Sequence, residues 1–329
     1  MKQIDFLAIG DVVIDAFIRL KDAHVHCKVD THACELCVRF GDKVPYESVH
    51  VIPAVGNSPN ASVCASRLGL RSALVTNIGD DQNGKDCLEG LEKEGVSTEY
   101  VKTQVGKSTN YHYVLWYDVD RTILIKHAEF DLKFPDIGEV PWLYLSSLAE
   151  NSLPYHIEIA EYLKKYPNTK LAFQPGTFQI KLGKEKLKDI YARTEIFFCN
   201  VEEAQIILQN TTQDIKTLVQ EMHSLGPKIV CISDGPNGAY ASDGQDIYFV
   251  PIYPDIAPPL DRTGAGDAFS ATFASAIAQG RTIEEALLWG PINSMSVVQE
   301  IGAQKGLLTK EKLEEYLAKA PREYKVKKL

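Results

Sequence analysis

The chain has 329 residues, a length that fits one large domain or two ordinary ones, and its 45% hydrophobic and 24% charged residues are typical of a soluble globular protein. Lysine and arginine number 35 against 44 acidic residues, and the resulting net charge of −9 lacks the basic surface of a general nucleic-acid or anionic-membrane binder. No run of about 18 apolar residues is present that could span a bilayer.

The chain begins with a short apolar run, residues 4–10, that ends in glycine and predicts a buried strand. This run is too short to be the apolar region of a signal peptide. Because no export signal is present, the sequence predicts a cytoplasmic protein in which all seven cysteines are free thiols.

Apolar strands and amphipathic helices alternate along most of the chain. Helical spacing at residues 60–68 and 84–94 surrounds a second apolar run at 72–79. Further strands are predicted at residues 142–145, 170–173, 196–199 and 228–233. Helical patterns at 155–166 and 215–225 lie between them. This alternation predicts an α/β fold with a doubly wound sheet that helices cover on both faces.

Two stretches interrupt the alternation with β-type sequence, residues 15–46 and residues 108–127. In the second stretch, residues 114–117 and 122–125 resemble the two strands of a hairpin. Two such excursions from an α/β core predict a small β-rich lid that closes over a site. The large α/β domain then comprises residues 1–14, 47–107 and 128–329.

The segment with the clearest chemical meaning is residues 261–270. A turn with two glycines, Gly264 and Gly266, leads into a helix whose residues after Asp267 are nearly all small or apolar. Such a helix is buried, and the glycines let backbone amides approach a ligand. Free N–H groups at a helix start bind anions, so the turn predicts a site for a transferring phosphoryl group, with Asp267 accepting the proton of an attacking hydroxyl. The alternative is that Asp267 only caps the helix, although a cap requires neither an open turn nor deep burial.

Residues 261–267, Asp-Arg-Thr-Gly-Ala-Gly-Asp, resemble the C-terminal signature of the ribokinase-like (PfkB) family of sugar and nucleoside kinases. Four more motifs resemble those of the family in the same order, at residues 10–15, 56–61, 200–204 and 233–238. The sequence departs from the family pattern at Val55, which replaces a glycine beside the substrate. Arg262 occupies a variable position, where phosphate binding and simple solvent exposure both stay open.

The resemblance implies a three-layer αβα sandwich with a small β-sheet lid, and it implies roles for individual residues. Catalytic roles fall to Asp267 and to the turn residues Gly264, Ala265 and Gly266. Substrate binding falls to Asp15, Gly56, Asn57 and Asn60. Nucleotide binding falls to Asn200, Ser233, Gly235, Gly238, Asn293 and Gly302. Glu203 is expected near a magnesium ion, directly or through water.

Histidines and cysteines crowd one stretch of the predicted lid, namely His24, His26, Cys27, His32, Cys34 and Cys37. Zinc binding is one interpretation. However, a second C-x-x-C is missing, and strand alternation would put Cys34 and Cys37 on opposite faces. Free thiols in a lid strand are therefore the favoured interpretation, and a zinc site is the alternative.

Together these features predict an ATP-dependent kinase that phosphorylates a hydroxymethyl group of a ribose- or fructose-like sugar or of a nucleoside. The alternatives are a sugar-phosphate kinase of the same family and a non-catalytic sugar- or nucleotide-binding sensor on the same fold. The cations considered for a sugar phosphate are Lys28, Arg39, Lys43 and Lys126, and their spacing identifies no pocket. The expected cofactors are ATP and Mg²⁺, and the expected partner is a small-molecule substrate, with no nucleic acid and no membrane. A monovalent cation and a homodimer through the lid stay open.

Overall fold

A computed structural model of the protein describes residues 3–27, 34–118 and 120–329. Within these residues the helices are α1 (Asn57–Arg67), α2 (Gln82–Lys93), α3 (Leu153–Lys165), α4 (Thr177–Leu182), α5 (Lys188–Tyr191), α6 (Val201–Leu208), α7 (Ile215–His223), α8 (Ala265–Ala278), α9 (Ile283–Val297) and α10 (Lys310–Ala318). None of these helices is long and apolar enough to cross a membrane.

A ten-stranded sheet forms the centre of the described structure. Its strands are β1 (Phe6–Ile9), β6 (Ser72–Gly79), β7 (Val101–Gln104), β10 (Trp142–Leu145), β11 (Lys170–Phe173), β12 (Thr194–Asn200), β13 (Ile229–Ser233), β14 (Ala239–Ser242), β15 (Ile247–Val250) and β16 (Lys327–Lys328). Their order is β16-β15-β14-β13-β12-β11-β10-β1-β6-β7. The strands from β7 to β13 in this order are parallel, and β14, β15 and β16 are antiparallel.

Helices cover both faces of this sheet, because its central strands are apolar on both sides. In β1, Phe6 and Ala8 belong to one buried cluster and Leu7 and Ile9 to the other. Helices α1, α2, α8, α9 and α10 contribute to the first cluster. Helices α3, α5, α6 and α7 contribute to the second. The predicted three-layer α/β fold is therefore confirmed.

A separate four-stranded sheet, which we call the lid, contains β2 (Val13–Leu20), β5 (Tyr46–Val55), β8 (Asn110–Tyr117) and β9 (Asp120–Leu124). Its order is β5-β2-β8-β9, and the predicted hairpin is the antiparallel pair of β8 and β9. The sequence assigned residues 47–55 to the large domain, whereas they pair along β2 in the lid. Most of β5 is exposed or half-buried, so it lacks the apolar run by which the other strands were found. The division into two domains stays a prediction.

A two-stranded hairpin extends from the lid and corrects the prediction for the cysteines. Its strands are β3 (His24–Cys27) and β4 (Cys34–Cys37), and their register places Cys27 directly opposite Cys34. The two cysteines form a disulfide, so not all seven are free thiols. Cys37 stays free, and its thiol donates to the backbone oxygen of Glu35. His32 and Lys28 lie outside the described residues. Among the described residues, no group of three or more His, Cys, Asp or Glu side chains could hold a metal ion.

Candidate active site

A cavity of about 450 Å³ lies at the carboxyl ends of the central parallel strands. Asp11 and Ser147 line it just beyond β1 and β10, and Gln174 lines it directly after β11. Asn200 and Ser233, the last residues of β12 and β13, also line it. Chain order reverses between β1 and β10, and ligands of open α/β sheets bind at such a switch point. The fold therefore places this cavity where a substrate is expected.

The glycine turn of residues 261–267 borders this cavity. Gly264 caps helix α8 with a φ of 80°, and a Cβ there would lie 2.3 Å from the Cβ of Ala303. A Cβ on Gly266 would have no atom within 4 Å, because this residue faces open space. Behind the turn, residues 268–276 of α8 are buried. The start of a buried helix thus faces a cavity, as a phosphate site requires.

Asp267 lies in the first turn of α8, and three side-chain amides donate hydrogen bonds to its carboxylate. Asn57 Nδ2 and Gln174 Nε2 bind Oδ1 at 2.7 and 3.1 Å, and Asn60 Nδ2 binds Oδ2 at 2.8 Å. Burial raises the pKa of Asp267, and the amides and the charge of Arg121 partly oppose this effect. Asp267 is consequently a fixed and partly desolvated carboxylate, which suits a general base.

Asn57 and Asn60, predicted to contact the substrate, both contact the proposed base in this structure. Both amide nitrogens donate to Asp267, and the Asn60 side-chain oxygen accepts from Gln304 Nε2 at 3.0 Å. Gly56 precedes them with a φ of 121°, and a Cβ there would lie 2.7 Å from the backbone oxygen of Asp11. All three predicted residues line the cavity. The two asparagines therefore position Asp267, and their contact with the substrate stays a prediction.

Gln174 was not identified from the sequence. Its Oε1 accepts a hydrogen bond of 2.6 Å from the hydroxyl of Tyr144, which is fully buried in β10. This bond fixes the orientation of the amide, so that Nε2 is directed at Asp267. The available signal was position, because a polar residue directly after an apolar parallel strand lies at the edge where sites form.

We predict that Gln174→Leu shifts the pH dependence of the reaction. The Gln174 hydrogen bond lowers the pKa of Asp267, so its loss raises that pKa and moves the acidic limb of kcat/KM to higher pH. We also expect kcat to fall about tenfold, because the base is held less firmly. Steady-state kinetics across pH measure both effects, and the exposed Gln220→Leu serves as the control. An unchanged acidic limb contradicts the assignment.

Two Asp–His pairs form the wall of the cavity beneath the lid. Asp15 Oδ1 lies 3.4 Å from His112 Nδ1, and Asp11 Oδ2 lies 3.1 Å from His127 Nδ1. The two imidazole rings are 5.2 Å apart and meet edge to face. The motif resemblance assigned Asp15 alone, and it missed Asp11 and both histidines. All four residues line the cavity, where carboxylates and imidazoles can bind the hydroxyl groups of a polyol.

A second cavity of about 330 Å³ adjoins the first. The predicted residues Gly235, Gly238 and Ala265 line it, and Ser233 and Gly266 line both cavities. Apolar residues complete the lining, such as Met295 in α9, Val298 directly after it, and Pro259. Apolar walls with a few polar groups are typical of a pocket for a small molecule or cofactor. Because Arg262 also lines both cavities, it lies at their junction.

Asn200 and Glu203 line the first cavity and also cap helix α6. The Asn200 side chain accepts from the Glu203 amide at 2.7 Å, and Glu203 Oε2 accepts from the Asn200 amide at 2.9 Å. This reciprocal arrangement is a capping box. Burial, together with the nearby charge of Asp267, raises the pKa of Glu203. A divalent cation bound nearby would stabilise the ionised forms of the Glu203 and Asp267 carboxylates.

Asn293 and Gly302, predicted to bind the nucleotide, line neither cavity. Asn293 is buried, with its Nδ2 donating to Thr272 Oγ1 at 2.7 Å and its Oδ1 accepting from the Leu308 amide at 2.9 Å. The Gly302 amide donates to Asp261 Oδ2 at 3.0 Å, and a Cβ on Gly302 would lie 2.4 Å from Ile52 Cδ1. Both residues have packing roles in this structure, and nucleotide binding by each stays a prediction.

Comparisons with known proteins agree with this geometry. The model of the pfkB family of carbohydrate kinases matches residues 29–310. The chain is 28% identical over 290 residues to the ribokinase of Bacillus subtilis, covering 85% of this chain and 92% of that protein. It is 28% identical over 258 residues to the cytidine kinase of Thermococcus kodakarensis, covering 75% of this chain and 88% of that protein. The structure of Arabidopsis thaliana ribokinase complexed with ribose and ATP has the same fold, with a TM-score of 0.78 and 20% identity. The match covers 96% of this chain and 99% of that chain.

Proposed function

Because the chain belongs to the pfkB family of carbohydrate kinases, we propose that it transfers the γ-phosphoryl group of ATP to a hydroxymethyl oxygen of a sugar or nucleoside. One observation supports this most directly. A buried helix presents its N-terminus to two adjoining cavities, one lined by many polar groups and one largely apolar, and the carboxylate of Asp267 lines the first of them. The polar cavity suits the acceptor, and the apolar cavity suits the base of the nucleotide.

In this proposal, positioning and electrostatics supply most of the catalysis. Asp11 and Asp15 bind hydroxyls of the acceptor and direct its hydroxymethyl group towards Asp267. Asp267 accepts the hydroxyl proton as the oxygen attacks phosphorus. Backbone amides of Gly264, Ala265 and Gly266 stabilise the charge that develops on the transferring group.

A magnesium ion fits the donors near Asn200 and Glu203. Mg²⁺ prefers oxygen ligands and uses one or two carboxylates together with phosphate oxygens, and Glu203 is a half-buried carboxylate at the cavity wall. When bound with ATP, the ion neutralises phosphate charge. Glu203 holds it directly or through water in this proposal.

A turnover assay tests the proposal. The purified chain is incubated with ATP, Mg²⁺ and, separately, ribose, fructose, adenosine, guanosine or cytidine, and ADP formation is recorded. Phosphorus NMR then identifies a phosphomonoester on a CH₂OH carbon. Tight binding of a sugar and ATP without turnover would favour the sensor alternative. The same assay in potassium and in tetramethylammonium salts tests a requirement for a monovalent cation.

We propose further that the protein acts in the cytoplasm as a homodimer joined through the lid. On the outer face of the lid, Val51, Ala16, Tyr113 and Leu124 form one cross-strand row. Val51, Tyr113 and Leu124 are about half exposed, an apolar patch of the kind found at interfaces.

We predict that Val51→Lys halves the mass measured by light scattering, whereas Lys102→Val on β7 leaves it unchanged. A monomeric wild-type protein contradicts the proposal.

A further inference from the structure

Arg121 is a cation of the lid that faces the acceptor cavity. It begins a row of alternate residues along β9 and just beyond it, with Ile123 and Ile125, and all three line the first cavity. The lid cations considered from the sequence do not reach it. Arg39, Lys43 and Lys126 are exposed and line neither cavity, and Lys28 lies outside the described residues.

Arg121 lines the wall of this cavity, and its guanidinium has an unsatisfied donor. Its Nε is buried and has no hydrogen-bond partner, and its side chain is 26% exposed. The carboxylate of Asp120 is 3.9 Å from Nη1, beyond hydrogen-bond distance, and is itself 84% exposed. A buried charged donor without an acceptor is unfavourable, and an anionic group on a bound molecule would satisfy it.

Arg121 lines the cavity of the acceptor and not the largely apolar second cavity. Arg262 lines both cavities, where the phosphates of a nucleotide in the second cavity would approach Asp267. Arg121 lines only the first cavity, on the side of Asp15 and His112. Its charge nevertheless reaches the Asp267 carboxyl. Arg121 is thus placed to contact the acceptor in the cavity that the proposed base also lines.

We propose that the acceptor of this kinase carries an anionic group, a phosphate ester or a carboxylate, and that Arg121 is the residue that selects for it. The carboxylates of Asp11 and Asp15 bind hydroxyls, and the guanidinium binds the anion at the other end of the acceptor. This inference rests on the proposed function and narrows its substrate class. A planar guanidinium binds either anion with two parallel hydrogen bonds.

The test compares charged and uncharged acceptors with wild type and Arg121→Gln. Fructose, fructose 6-phosphate and gluconate are assayed for ATP-dependent turnover, and calorimetry measures their binding. We expect wild type to prefer one anionic acceptor over fructose, and which one it prefers distinguishes phosphate from carboxylate. In Arg121→Gln, KM and Kd for that acceptor should rise about 30-fold, the effect of losing a charged hydrogen bond, while fructose changes less than threefold. Arg121→Lys should recover part of the loss.

Arg39→Gln is the matched control, because it removes one positive charge from a lid side chain that is 86% exposed. Its kinetics should equal those of wild type. Two results would overturn the inference: uncharged sugars or nucleosides preferred over both anionic acceptors, or an equal loss of kcat for every acceptor in Arg121→Gln. The second result would assign Arg121 to the transferring phosphoryl group. If no acceptor supports turnover, the proposed function fails, and calorimetry still decides whether Arg121 binds anions.

Discussion

Asp267→Asn should retain both ligands and lose about 10³-fold in kcat, because an amide cannot accept the proton of the attacking hydroxyl. Asparagine has nearly the same shape, and Asn57, Asn60 and Gln174 still surround it. Thermal-shift titration with ATP and with the acceptor measures binding, and initial rates at saturating substrate measure kcat. The loss should therefore appear in kcat, with KM changed only a few-fold.

Asp189→Asn is the control for this substitution. It makes the same acid-to-amide change at an exposed position, where the carboxylate forms an ion pair with Lys164. This variant should match wild type in both kcat and binding. If Asp267→Asn stays within a few-fold of wild type, Asp267 is a helix cap and not the base.

The pH profile offers a second measure of Asp267. Burial raises its pKa above the ordinary value of 3.8, and the base acts only when ionised. As pH falls through this raised pKa, kcat/KM should fall in proportion to the fraction of Asp267 that is still ionised. The acidic limb should accordingly lie above the pH at which an exposed aspartate titrates, and it should be absent from Asp267→Asn.

The central sheet could be predicted from the sequence because strands that are buried on both faces have continuous runs of apolar residues. The strands at residues 142–145 and 170–173 have the predicted bounds, and β12 and β13 differ by a few residues at their ends. In contrast, β5 is mostly exposed or half-buried, so neither an apolar run nor a helical period marks it. Its place in the lid depends on pairing with β2, a contact between distant segments.

The parts of the candidate site that lie within one sequence motif could be predicted. The residues that reach the cavity only through the packing of distant segments could not. The turn at Gly264 and Gly266 and the position of Asp267 follow from residues adjacent in sequence. Gln174 and Arg121 come from a strand end and a lid strand, and only the folded chain brings them to the same cavity. For Asn293 the fold shows hydrogen bonds to buried groups that the sequence does not reveal, and its contact with the nucleotide stays a prediction.

Gly264→Ala should be strongly destabilised and nearly inactive. The new Cβ would lie 2.3 Å from the Cβ of Ala303, and the φ of 80° disfavours any side chain. Gly280→Ala is the matched control, because Gly280 has the same φ and no atom within 4 Å of its Cβ position. Gly280→Ala should lose about 1–2 kcal/mol from backbone strain, and Gly264→Ala about 2 kcal/mol more, measured by urea unfolding.

Gly266→Ala separates the phosphate site from the stability of the turn. Its Cβ position has no atom within 4 Å, and alanine favours a helix by about 1 kcal/mol over glycine, so stability should not fall. The added methyl would project where the two cavities meet and keep phosphate from the amides. We therefore expect kcat/KM for ATP to fall about 100-fold in a protein that unfolds no earlier than wild type. Wild-type kinetics for Gly266→Ala would mean that this turn does not hold the phosphoryl group.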